Sequence, residues 1–197
     1  MTGQPPAYQN DNCQAGDAFL PQTFGDKFDG SDIGGEVPPL EIFARSFLKE
    51  RSIAAKILEI SSGEKPDEKI SYVRDYLRDI QPQLRRMESD ALVPVLKKYS
   101  LSDDECLTHI DNAGFDEHLA ENILSILENL KLNDCMDPAS CQCLRTLAHS
   151  LRKRAAIWNA VILPIARVRF NDQANLELSE RLGAIVKNTQ QENANEK

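Results

Sequence analysis

The stretch "RKRAAIWNAVILPIARVRF", residues 152–170, decides the fold. Arg154, Trp158, Val161 and Ile165 continue a stripe begun by Leu144, Leu147 and Leu151. Their three- and four-residue steps are those of a helix with one face turned to a core. Two residues disturb that reading. Pro164 stands inside the apolar run, where a proline costs a hydrogen bond and strains the helix. Arg154 places a permanent charge on the inward face.

Three further helical segments precede this one. "PPLEIFARSFLKERSIAAKILEISSG" begins at a proline pair and stops at Gly63, and carries Phe43, Phe47, Glu50, Ala54, Ile57 and Leu58 on one face. A second helix runs from about Asp67 to Tyr99 with Val73, Leu77, Ile80, Leu84, Glu88, Ala91 and Val95, and is expected to kink near Pro82 and Pro94. Ser102 and Glu105 have the spacing of a capping box for a third helix bearing Ile110, Phe115, Leu119, Ile123, Ile126 and Leu130. After the segment 152–170, "NLELSERLGAIV" reads as a short fifth helix. "ESDALVPVLKK" and "WNAVILPIARV" both set a proline six residues after their first member, a faint internal repeat that makes the second and fourth helices equivalent. With no alternating strand pattern, the expected architecture is all-α, an antiparallel up-down-up-down four-helix bundle with an extra C-terminal helix.

Composition bounds what such a bundle can do. The chain has 197 residues, 41% hydrophobic, enough for one core. Its net charge of −8 argues against nucleic acid and anionic membrane surfaces as partners, since both are met with Lys and Arg. "MTGQPPAYQNDNC" lacks the pattern of a secretory signal and "AVILPIA" is too short to span a bilayer, so the expected address is cytoplasmic. Residues 1–36, rich in Gly, Pro, Gln, Asn and Asp, read as a disordered acidic arm, 37–186 as the bundle, and 187–197 as a polar disordered tail. Tyr8, Phe19, Phe24 and Phe28 in the arm leave docking on the domain or on a partner open. Cys135, Cys141 and Cys143 form C-x5-C-x-C in what reads as a short loop, a spacing that does not match a zinc site and leaves bystander thiols or a redox pair.

The order "PLEIFARSFLKER", "ESDALVPVL", "DEHLAENIL", "WNAVILPIAR" resembles the bacterial hemerythrin-like (HHE cation-binding) family from residue 39 to about 186. Leu163, Pro164, Ile165, Ala166 and Arg167 carry the resemblance furthest, being similar to that family's fourth-helix ending Leu-Pro-Leu-Ala-Arg. The resemblance implies a di-iron site built from a His on the first helix, His-x-x-x-Glu on the second, a His on the third and His-x-x-x-Glu on the fourth. At those places this chain has Phe47, Leu84 with Glu88, His118, and Arg154 with Trp158. Only Glu88 and His118 match, and the whole chain holds just three histidines, His109, His118 and His149. Phe47, Leu84 and Trp158 would fill the volume that metal and imidazoles leave, and Arg154 would repel a cation.

Glu50, Glu88 and Arg154 then admit two readings: a buried ion cluster standing in for the metal, or an acid/base or anion site in a cleft. The expected function is a non-catalytic hemerythrin-like module, without cofactor, that regulates or binds another protein. The alternative is a sensor of metal, oxygen or nitric oxide that keeps a weak site for iron or another divalent cation at Glu88 and His118.

Overall fold

Proline fits the first turn of a helix because the N–H it lacks would have no partner there, and Pro39 opens α1 (Pro39–Ser61). The computed structural model describes residues 37–63, 67–101, 105–130 and 136–195, and among them the secondary structure is entirely helical, with no strand. The arm 1–36 with its aromatics, the cap residue Ser102 and Cys135 lie outside the described residues. No helix of the described residues is long and apolar enough to cross a membrane. α1 ends where Gly63 takes φ +100°, a left-handed conformation that glycine adopts without a steric penalty.

α2 is continuous over residues 67–99, and α5 over residues 138–169. At Pro82 and Pro94, where kinks are expected, the helix runs on through a local device that recurs at Pro164. Each proline follows a π-helical turn: Tyr76–Ile80, Glu88–Leu92 and Trp158–Ile162. In these turns the N–H of Gln81, Val93 and Leu163 reaches back to the carbonyl of Tyr76, Glu88 and Trp158, five residues away. A proline ring collides with the carbonyl four residues back in a regular α-helix. The wider turn makes room for it and inserts one residue into the helical period.

That inserted residue corrects the stripes. Past the first π turn Gln81 is buried where Ile80 was expected, and past the third Ile162 and Ala166 take the places assigned to Val161 and Ile165. The third helix is also corrected: it divides into α3 (Glu105–Asn112) and α4 (Glu117–Asn129). Asp116 supplies a fresh cap by accepting the Leu119 N–H at 2.9 Å, which the apolar period gave no reason to expect. The last helix, α6, is longer than expected, running Asp172–Asn195 through most of the segment assigned to a disordered tail. Once a helix is nucleated against a core, adding further turns costs little.

Cross-helix contacts set the packing. On α1 and α5, Ser61 accepts from Arg145, Glu50 from Arg154 and Glu41 from Arg167, so residue numbers rise along one helix as they fall along the other. α6 lies on the second half of α2, where Glu177 accepts from Lys98 and Tyr99 and Arg181 donates to the Asp90 carbonyl. α4 packs on the first half of α2, with Arg78 paired to Glu128 and the Arg85 guanidinium over the Phe115 ring. The core falls into two apolar clusters. One gathers Phe43, Phe47, Met87, Trp158, Ile162 and the α6 residues Leu178 and Leu182. The other gathers Ile53, Ile57, Tyr76, Leu84, Leu144 and Leu151.

Candidate functional site

Between those clusters lies a layer of buried charge. Glu50 of α1 sits between Phe47 and Ile53, and Arg154 of α5 between Leu151 and Ala155, so each helix changes cluster at its charged residue. Arg154 Nη1 donates to Glu50 Oε1 and Arg154 Nη2 to Glu88 Oε2. Glu50 and Arg154 are each 2% exposed and Glu88 7%. Glu88 opens the second π turn, and its Oε2 also accepts from Arg85 Nη1 at 2.9 Å. Both acids are therefore joined to one guanidinium, but Glu88 alone has a second one in contact.

Aromatic rings complete the layer. Phe47 and Trp158 stack with centroids 4.8 Å apart and planes 11° from parallel, and the Arg154 guanidinium lies 5.0 Å from the Phe47 ring centre. Guanidinium over an aromatic face is attractive, more so where water is excluded. Tyr76, 1% exposed, feels the charges of Glu50, Arg154 and Glu88, and its hydroxyl has no hydrogen-bond partner. Glu50 Oε2 and Trp158 Nε1 are likewise buried without partners.

Loss of water governs the ionisation of the site, because burial penalises a charge more than neighbours restore it. Burial raises the Glu50 carboxyl to about 7, against the opposing pull of Arg154, with the nearby Glu88 adding to the rise. Glu88 is raised too, first by burial, with Arg154 and Arg85 both working against the shift. Burial holds the Tyr76 phenol well above its ordinary value.

The residues read from the sequence divide by location. Phe47, Glu50, Glu88, Arg154 and Trp158 meet in this layer, while Leu84 packs in the cluster of Ile53 and Leu151. His118 does not join them. Its side chain is wholly exposed on the first turn of α4, 3.7 Å from Glu121, whereas the Glu88 carboxylate is turned inward to Arg154. The pairing of Glu88 with His118 that a residual cation site requires is therefore not formed. No group of three His, Cys, Asp or Glu side chains among the described residues is placed to hold a metal. A di-iron centre does not fit these side chains, because Arg154 holds Glu88, the one carboxylate at a ligand place, and Phe47, Leu84 and Trp158 offer no donor suited to iron. Cys141 and Cys143 are half-buried thiols on the first turns of α5 and not in a loop. Two positions apart on a helix, they do not face each other.

Tyr76, Gln81 and Arg85 are the members that the apolar period did not mark. A signal for Tyr76 existed: Pro82 follows it by six residues, the spacing already seen from Glu88 to Pro94 and from Trp158 to Pro164. No family model, curated protein or solved structure matches the chain.

Proposed function

We propose that the chain is a hemerythrin-like antiparallel four-helix bundle whose metal cavity is closed by an Arg–Glu cluster, and that it acts in the cytoplasm as a non-catalytic regulatory or protein-interaction module. The opposed residue order of α1 and α5, and of α6 and α4 against α2, supports the bundle. One observation carries the functional reading. The Arg154 guanidinium, buried and bonded to Glu50 and Glu88, occupies the place where the resemblance puts a metal ligand. Phe47 and Trp158, at two further ligand places, stack on each other and fill the adjoining volume.

A cation placed there would have to displace a guanidinium from two carboxylates in a region closed to water. Dioxygen and nitric oxide chemistry would have no iron to act on, and recognition then falls to the outer helix faces and the arm. The test is to mix purified protein with iron(II) without oxygen, measure bound metal, admit air and record near-ultraviolet absorbance. Less than stoichiometric iron and no oxo-bridge band is the expected result. Two irons per chain would overturn the metal-free reading.

A further inference from the structure

The buried layer reaches the surface through Glu88. Its outer partner, Arg85, lines a groove of about 510 Å³ between α2 and α4. The α2 wall supplies Arg78, Gln81, Arg85 and Arg86, and the α4 wall supplies Glu117 and Glu121 over an apolar floor that includes Leu77 and Leu124. The α2 wall is thus mainly basic, with Asp90 as its acid, and the α4 wall is acidic. The volume falls within the roughly 300–1,000 Å³ of small-molecule sites.

Two donors in the basic wall lack acceptors. Gln81 is only 6% exposed and its amide nitrogen has no hydrogen-bond partner, and the Nε of Arg85 is buried and unpartnered as well. A buried donor without an acceptor is costly, so its retention calls for an explanation. Arg85 is also held in place: one end of its guanidinium bonds Glu88 and the plane lies 5.4 Å from the Phe115 ring centre. A planar carboxylate is the group that a fixed guanidinium and a neighbouring amide recognise. A doubly charged anion would meet Asp90 on the α2 wall as well as Glu117 and Glu121 across the groove, whereas a ligand with an ammonium next to its carboxylate would answer both walls.

We propose that this groove binds a small zwitterion of the α-amino-acid class, its carboxylate at Gln81 and Arg85, its ammonium toward Glu117 and Glu121, and an apolar side chain on the floor. The assignment is independent of the hemerythrin-like reading. The full chain is titrated with L-leucine while the arginine Nε–H and glutamine amide signals are followed by NMR. Saturable shifts at Arg85 and Gln81 are expected. 4-Methylpentanoate, which lacks the ammonium, and isoamylamine, which lacks the carboxylate, are expected to bind at least about tenfold more weakly, the equivalent of one charged contact. Gln81→Leu is expected to weaken L-leucine by a similar factor. Glu121→Gln, at an exposed position where folding is not at stake, removes the advantage of L-leucine over 4-methylpentanoate. Absence of a saturable L-leucine shift, inorganic phosphate binding as tightly, or an affinity unchanged in both variants would each overturn the proposal.

Discussion

Arg154 is hydrogen-bonded to both Glu50 and Glu88, so the effect of removing it depends on what the two acids do next. Replacing one partner of a buried ion cluster strands the others, whereas replacing all with packed apolar groups is often neutral or stabilising. Arg154→Met is therefore expected to cost about 3–5 kcal/mol at pH 8 in urea unfolding, and Glu50→Leu/Glu88→Met/Arg154→Met to recover most of it. Acidity changes the answer. Glu50 titrates near 7 in the folded protein, above its ordinary 4.5, so between those values the folded chain holds a proton that the unfolded chain has released. Its stabilising contribution is complete below about 4.5 and is lost as pH rises through about 7. Two outcomes follow from that sign: Glu50→Gln gains on the native protein between pH 5 and pH 8, and Arg154→Met is penalised less at pH 5, where the stranded Glu50 is neutral. A penalty for Arg154→Met that is the same at both pH values would contradict this account of the layer.

At the scale of the element, the helices were legible in the sequence but their phase only in part. Periodicity placed α1, α2 and α5 because their apolar residues return at three and four, and it set Glu50, Glu88 and Arg154 on inward faces. It missed the break before Glu117 because the apolar spacing runs on through Phe115, and the break is made by the turn at Gly114 and the cap of Asp116. It also missed the π turns, since a 3.6-residue template cannot represent an inserted residue. The clue lay in the prolines, Pro82, Pro94 and Pro164, each six residues after a side chain that is now buried: Tyr76, Glu88 and Trp158. Which holds the π turn in place, the proline or the core, can be measured. Ile162, Leu163 and Ala166 are at most 1% exposed, so register past Trp158 is tied to burial. Pro164 is itself exposed. Pro164→Ala is thus expected to shift unfolding by less than about 1 kcal/mol, with the π turn retained. Deleting Ala160 removes the inserted residue, so the helix can return to α register with those three side chains still on the core, but it sets the Pro164 ring against the carbonyl four residues back; the deletion is expected to cost about 3 kcal/mol and to be relieved by Pro164→Ala. A damaging Pro164→Ala substitution, or a deletion whose cost Pro164→Ala does not relieve, would contradict this account of the turn.

Across the whole molecule, the charged layer separates two apolar clusters that have different owners. α6 gives Ala174, Leu178 and Leu182, each fully buried, to the cluster around Trp158 and nothing to the cluster around Leu144 and Leu151. It is fixed there by Glu177, which holds Lys98 and Tyr99, and by Arg181 on the Asp90 carbonyl. Removing α6 uncovers one half of the core and leaves the contacts of the other half intact. Stability in a protein is spent unevenly in this way, and local opening follows where buried apolar contacts are fewest. Trp158 is the single tryptophan of the chain and is fully buried, so its emission reports on the exposed half alone. A chain ended at Asn171 is expected to show red-shifted tryptophan emission and faster hydrogen exchange in residues 39–47 of α1 and 87–99 of α2. Protection is expected to persist in residues 53–60, 120–127 and 144–151, whose apolar contacts do not involve α6. Loss of protection in both halves together would mean that the clusters form one cooperative unit, joined by the Glu50–Arg154–Glu88 layer or by α1, α2 and α5, which run through both. Arg154→Met in the full-length chain then decides between them, since it removes the shared guanidinium and leaves those helices continuous.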